Sequence, residues 1–170
     1  MGLAKTLKKM MLFNEGRDYL GEVKTVTLPT LTRKMEDYRA AGMNGTVKTD
    51  HGLNALELEA SFGGPMLDIL RQFGVVRVDG VYLRFVGAYQ RDNDGAVDGY
   101  EVIVRGRHEE IEMGDQETGE ASEFKVKTAI AYYKLIVNGR TEVEIDILRG
   151  VEIVGGVDRN AELNAIIGLY

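Results

Sequence analysis

Residues 124–148 constrain the fold more than any other stretch. The pair Asn138-Gly139 joins an apolar run, Phe124–Val137, to a second run at 141–148. Asn-Gly between two such runs is the strongest short hairpin signal, because its tight turn needs positive φ at both central residues. In the second run Val143, Ile145 and Ile147 alternate with Glu142, Glu144 and Asp146. One face is therefore apolar and the other acidic, the pattern of a strand with one buried and one wet side. A chain that contains this unit is committed to antiparallel sheet.

The remaining patterns extend that sheet. Residues 11–14 and 19–28 read as strands around a turn at 15–18. Residues 53–62 alternate well: Leu56, Leu58, Ala60 and Phe62 share one face, and Glu57, Glu59 and Ser61 the other. Gly63-Gly64-Pro65 breaks that strand. Met66, Ile69, Leu70 and Phe73 then recur at helical spacing, with Pro65 suited to the start and Gly74 to the end. Strands return at 81–89 and 100–111 around the turn formers Asp92-Asn93-Asp94-Gly95. Beyond Gly155-Gly156 a short helix is expected over 158–167, with Asp158 as its N-cap. The sum is about eight strands, one internal helix and one C-terminal helix. The fold class is mainly β, two packed antiparallel sheets in a sandwich or barrel, within a single domain spanning 1–170.

The segment 28–50, LPTLTRKMEDYRAAGMNGTVKTD, departs from this scheme. It keeps no steady period and carries Pro29, Gly42 and Gly45. Structureless stretches of this length are uncommon inside a domain and usually functional or disordered. Disordered segments are poor in large apolar residues, whereas this one holds Leu31, Met35, Tyr38 and Met43. The expectation is a long extended arm that docks on something.

Chemistry is sparse. The 170 residues contain no Cys, which removes disulfides, thiolate metal sites and cysteine nucleophiles. His51 and His108 lie far apart without metal-ligand spacing. Ser61 and Ser122 sit in no nucleophile elbow, and Gly63-Gly64 and Gly155-Gly156 lack the spacing of a phosphate cradle. Counting from Gln90, Asp92, Asp94, Gly95 and Glu101 fall on positions of a calcium loop, but the flanks are strands and the first ligand is Gln. Glu57 and Glu59 share a strand face, the ordinary place for surface carboxylates. No catalytic, cofactor-binding or metal residue is assigned. No apolar run approaches a membrane span, and Lys5, Lys8 and Lys9 are followed by no signal-peptide core. A net charge of −6 argues against a free-standing duplex-DNA binder. Charge is nonetheless segregated: 109–123 is acidic without a basic residue, while Arg33, Lys34 and Arg39 cluster in the arm.

Six stretches, taken in order, carry a resemblance: LPTLTRKMEDYRAAGMNG (28–45), GAYQRDNDG (87–95), VRGRHEEIEMGD (104–115), EFKVKTAIAYYKLIVNG (123–139), EIDI (144–147) and VGGVDR (154–159). Together they resemble the major tail tube protein of contractile-tailed bacteriophages and R-type pyocins. Ala41, where related chains often have Gly, and Thr46, where some have Pro, depart from that pattern. The resemblance implies two packed β-sheets with a flanking helix, and homo-hexameric rings stacked into a hollow tube. It implies a sheath protein outside, baseplate and tail terminator proteins at the ends, and a tape measure protein and then DNA in the lumen. It places the chain in the virion tail, assembled in the bacterial host cytoplasm, with no cofactor, no sequence-specific DNA binding and no membrane insertion. The alternatives are the tube of a headless particle such as an R-type pyocin and, remotely, a small-ligand-binding β-barrel.

On that reading the arm makes inter-subunit contacts through Leu28, Pro29, Leu31, Arg33, Lys34, Met35, Tyr38, Arg39 and Met43. Arg33, Lys34 and Arg39 would approach the acidic stretch of a neighbour. Carboxylates facing a lumen would repel a passing duplex that lysines would hold. Glu57 and Glu59, with Glu101 and Arg105, are the expected lumen-facing residues.

Overall fold

The computed structural model describes residues 2–169; Met1 and Tyr170, the ends of the expected 1–170 domain, lie outside the described residues. In chain order the elements are β1 (Lys5–Asn14), β2 (Arg17–Asp18), β3 (Val23–Thr27), β4 (Arg33–Tyr38), β5 (Val47–Leu53), β6 (Leu56–Phe62), α1 (Leu67–Gln72), β7 (Val81–Arg91), β8 (Val97–Glu112), β9 (Phe124–Val137), β10 (Arg140–Asp146), β11 (Val151–Val154), β12 (Val157–Asp158) and α2 (Ala161–Ile166). As the sequence indicates, the fold is mainly β: two antiparallel sheets and two short helices.

The larger sheet has ten strands and runs β12-β11-β10-β9-β8-β7-β1-β2. It branches at β9. The first half of β9 pairs with β6, from Phe62↔Phe124 to Leu56↔Ile130, and its second half pairs with β10. β3 then lies outside β6. The Asn138-Gly139 turn forms as expected, with φ of 50° and 81°. The core lies on one face of this branched sheet. Leu56, Leu58, Ala60 and Phe62 of β6 meet Val81, Leu83 and Phe85 of β7, and Val102 and Val104 of β8. Phe62 packs edge-to-face between Tyr19 and Phe124, with centroids 5.0 and 6.0 Å away, a geometry that adds to simple burial.

α1 closes one end of the core through Met66 and Ile69. A partly buried polar network fastens it. Asn14 Nδ2 donates to Gln72 Oε1 (2.8 Å), and Gln72 Nε2 donates back to Asn14 Oδ1 (2.9 Å). The Tyr19 hydroxyl donates to Asp68 (2.5 Å), which also accepts from Arg17 (2.6 Å). His108 Nε2 and Nδ1 sit 3.0 Å from Gln72 Oε1 and 2.9 Å from Thr128 Oγ1. Buried polar groups are tolerated when paired in this way.

Several local expectations change. Residues 19–28 are not one strand: Tyr19 is a buried turn residue and β3 covers Val23–Thr27. Residues 53–62 divide between the end of β5 and β6. The segment 28–50 is not a structureless extended arm. It enters the second sheet, the hairpin β4–β5, with Met35↔Asp50 and Tyr38↔Val47 in register. A bulge between Arg33 and Met35 scrambles the period of two there, which hid the strands. Asp158 does not cap α2. The cap is Asn160, whose backbone N–H donates to Asp158 Oδ1 at 3.0 Å. Ser61, expected on a wet face, is buried against Thr25, their hydroxyls 2.6 Å apart.

Candidate assembly surfaces

Apart from Leu53 at the end of β5, which packs against the core, the β4–β5 hairpin stands away from it. Leu28 packs against the core and Pro29 is buried, so the root of the arm is anchored. Beyond it Leu31, Met35, Tyr38 and Val47 are each about half exposed. Met43 is half-buried, its sulfur 3.1 Å from the Ala40 N–H of its own turn. A two-stranded hairpin is marginal in water by itself, and this one offers apolar side chains and free strand edges to a partner. The cations divide unequally. Arg33 is already committed within the chain: it pairs with Glu152, 6% exposed, and with Asp50 at 3.1 Å. The Glu152 carboxylate raises the Arg33 pKa. Among the described residues Lys34, Arg39 and Lys48 make no ion pair. Across the molecule, the exposed loop 113–123 leaves Asp115, Glu117 and Glu120 equally without cations.

Glu57, Glu59, Glu101 and Arg105 all lie on the face of the large sheet opposite the core. The register puts Glu57 beside Ala129 and Glu59 beside Lys127, whereas Glu101 and Arg105 lie toward the other end of β8, beside Ile136 and Tyr132. That face is a mosaic of opposite charges, not a bare acidic wall. Glu57 meets Lys127 at 3.4 Å, and this carboxylate raises the lysine's pKa. Glu101 accepts from Arg84 Nε at 2.5 Å. Arg105 lies over the Tyr82 ring at 5.1 Å. The Tyr132 hydroxyl, pushed up to about 12 by burial and by its bond to Glu144, belongs to the same face. Sequence reasoning named Arg105 but missed Lys127 and Arg84. Lys125 and Lys127 alternate with Val126 and Thr128 in β9, and that alternation was the available signal.

Three further surfaces stand open. At the end of the core away from α1, the sheet opens into a cleft of about 670 Å³. Its floor is Tyr100, Val102, Tyr133 and Leu135, and its sides are Leu3 of the N-terminal segment and Leu28-Pro29 of the arm root. Its charged residues each have a partner: Lys5 pairs with Asp98 of the lining at 2.5 Å, and Arg91 with Asp94 outside the lining at 3.0 Å. The second surface is α2, none of whose residues is buried. The backbone of β1 from Lys5 to Met11 is also open along one side, since β2 covers only Phe13 and Asn14 and the Tyr19 N–H donates to the Leu12 carbonyl at 3.1 Å.

Among the described residues no cluster of His, Asp and Glu has metal-binding geometry, and no helix is long and apolar enough to cross a membrane.

Comparison with known proteins gives consistent matches. The family described as phage tail tube protein FII matches residues 4–168. The chain is 44% identical over 172 residues to the tail tube protein of Escherichia phage P2, covering 99% of this chain and 100% of that protein. It is 36% identical over 150 residues to the major tail tube protein of Serratia phage KSP20, covering 87% and 86%. Among solved structures, a sheath/tube terminator of a PVC extracellular contractile injection system in its extended state superposes with a TM-score of 0.57 at 8% identity, covering 79% of this chain and 96% of that one. A sheath-tube complex of the same kind of system gives 0.55 at 8% identity, covering 76% and 87%. At such identities the likeness is one of fold.

Proposed function

The chain belongs to the phage tail tube protein FII family, and from that premise we infer that it is the structural subunit of the inner tube of a contractile phage tail, with no enzymatic role. The observation that carries this reading is similarity to tail tube proteins along the whole chain. The geometry agrees with it: unmet surfaces are spread around a compact core. A headless-particle tube and a ligand-binding barrel are not favoured, because the relatives, matched over 99% and 87% of the chain, are phage tail tube proteins.

In this reading copies join side by side into homo-hexameric rings, with the open side of β1 accepting strand pairing from a neighbour. Pairing there removes the exposed-edge liability of a long strand. Rings stack into a tube inside the sheath, between the baseplate and the terminator, assembled in the host cytoplasm. The tape measure protein and then DNA occupy the lumen, lined by the non-core face that bears Glu57, Glu59, Glu101 and Arg105. Paired charges there offer a passing duplex no excess of cations, so phosphates find little to hold them.

The hairpin makes the contact between rings. Lys34, Arg39 and Lys48 approach the acidic loop 113–123 of the next ring, and Leu31, Met35, Tyr38 and Val47 bury beside them. Opposed charge of this kind sets register and suppresses wrong partners more than it adds affinity. Arg33 tethers the hairpin to its own domain. The test is negative-stain imaging of purified protein. Wild type is expected to give rings or tubes, and Lys34→Glu/Arg39→Glu/Lys48→Glu to give at most unstacked rings with an unchanged melting temperature. A protein that stays monomeric at high concentration, or a triple variant that stacks normally, sinks the corresponding part of the reading.

A further inference from the structure

α2 is amphipathic in the inverted sense. Its polar side faces its own domain: Asn160 Nδ2 and Asn164 Nδ2 both donate to the Gly150 carbonyl, at 3.2 and 2.9 Å. Its apolar stripe faces water, with Leu163, Ile166 and Ile167 exposed by 64%, 82% and 74%. These residues fall at i, i+3 and i+4, the spacing with which a helix lays anchors into a groove. Ile147 and Leu148, on the turn just before Gly150, are also mostly exposed. An apolar cluster of this kind on a small domain marks an interaction site.

The same chain carries a matching recess. The cleft beside Tyr100, Tyr133 and Leu135 is mainly apolar, open to solvent, and shares no residue with α2. Because each of its charges already has a partner within the chain, it calls for an uncharged occupant. The hairpin is a poor candidate, since its apolar residues are interleaved with Lys34, Arg39 and Lys48, and burying unpaired cations is costly. The α2 stripe brings no such cost: from Leu163 to Leu169 the chain has no charged residue. Stripe and cleft lie at different places on one surface, as a head-to-tail contact between identical copies requires.

We propose that the α2 stripe of one copy seats in the mouth cleft of an adjacent copy, with Leu163, Ile166 and Ile167 against the Tyr100, Tyr133 and Leu135 floor. The proposal rests on the tube reading, because it needs a second copy as partner. The absence of cysteine makes it directly testable. Leu3→Cys/Ile166→Cys, assembled and treated with a short bis-maleimide, is expected to give a ladder of covalent oligomers on denaturing gels, with neither single variant doing so. Ile166→Asp/Ile167→Asp, exposed changes that keep the monomer's circular dichroism, is expected to raise the concentration needed for assembly at least tenfold. Assembled double-cysteine protein that yields no ladder overturns the proposal. So does an Asp variant that assembles like wild type, or one that loses only sheath binding, which would make the sheath the occupant. Wild type that never assembles overturns both the proposal and the tube reading beneath it.

Discussion

Gly106 shows how one position can set the path of a long strand. A Cβ there would lie 1.9 Å from the Ala129 carbonyl oxygen, so only glycine lets β8 and β9 approach at the shift in register between Arg105 and Gly106. Gly106→Ala is expected to destabilise the monomer by about 2–3 kcal/mol, the scale of an overpacked core, measured by urea unfolding. His108, two residues on, is 5% exposed, and burial pushes its pKa down from 6.5 to about 4. The unfolded chain therefore binds this proton more readily than the folded one. Stability is full above pH 6.5, falls as the pH drops towards 4, and levels off below it. The loss is on the order of 3 kcal/mol. Comparing urea midpoints of wild type and His108→Gln between pH 7 and 5 checks the sign, since the variant should lack this part of the slope. A sequence shows that these two residues are Gly and His. It does not show that one abuts a carbonyl and the other is sealed beneath α1.

At the scale of elements, the hairpins divide by what specifies them. β9–β10 was legible because its turn chemistry and its alternation agree. β4–β5 was not, because a bulge and a long, glycine-containing turn broke both signals, although Leu31, Met35 and Tyr38, apolar residues that set the segment apart in the sequence, are indeed left exposed by the fold. What holds this hairpin in place is a long-range tether, Arg33 to the buried Glu152. Removing Arg33 leaves that carboxylate without its cation. Arg33→Ala is expected to cost about 1–3 kcal/mol and to raise hydrogen exchange across β4–β5 selectively. Arg33→Ala combined with Glu152→Gln should recover part of the loss. Equal exchange in the hairpins of wild type and Arg33→Ala would show that the tether does not hold it. Charge reversal at Arg33 consequently reports on folding, and stacking is probed at Lys34, Arg39 and Lys48.

At the scale of the whole molecule, the surface is what distinguishes this chain from a self-sufficient β domain. It leaves open an apolar cleft, an outward-facing apolar helix, a hairpin and one side of a ten-residue strand. Adjacent residues of a strand direct their N–H groups to opposite sides, so either Thr6 or Leu7 points its N–H outward from β1. Proline at that residue is expected to leave the monomer folded and to prevent ring closure, as seen by size-exclusion chromatography and negative stain. Proline at the other residue should weaken the monomer itself. The sequence alone determined the class: alternation, the Asn-Gly turn and the breakers at Gly63-Gly64-Pro65 are local signals, and local backbone physics reads them. It also supplied the family, through motifs spread along the chain. Tertiary structure decided the branching of the sheet at β9, the pairing of Glu57 and Glu101 with cations, the commitment of Arg33 and the inversion of α2. Each of these depends on contacts between residues far apart in the chain, and no local pattern encodes which distant partner a side chain will meet.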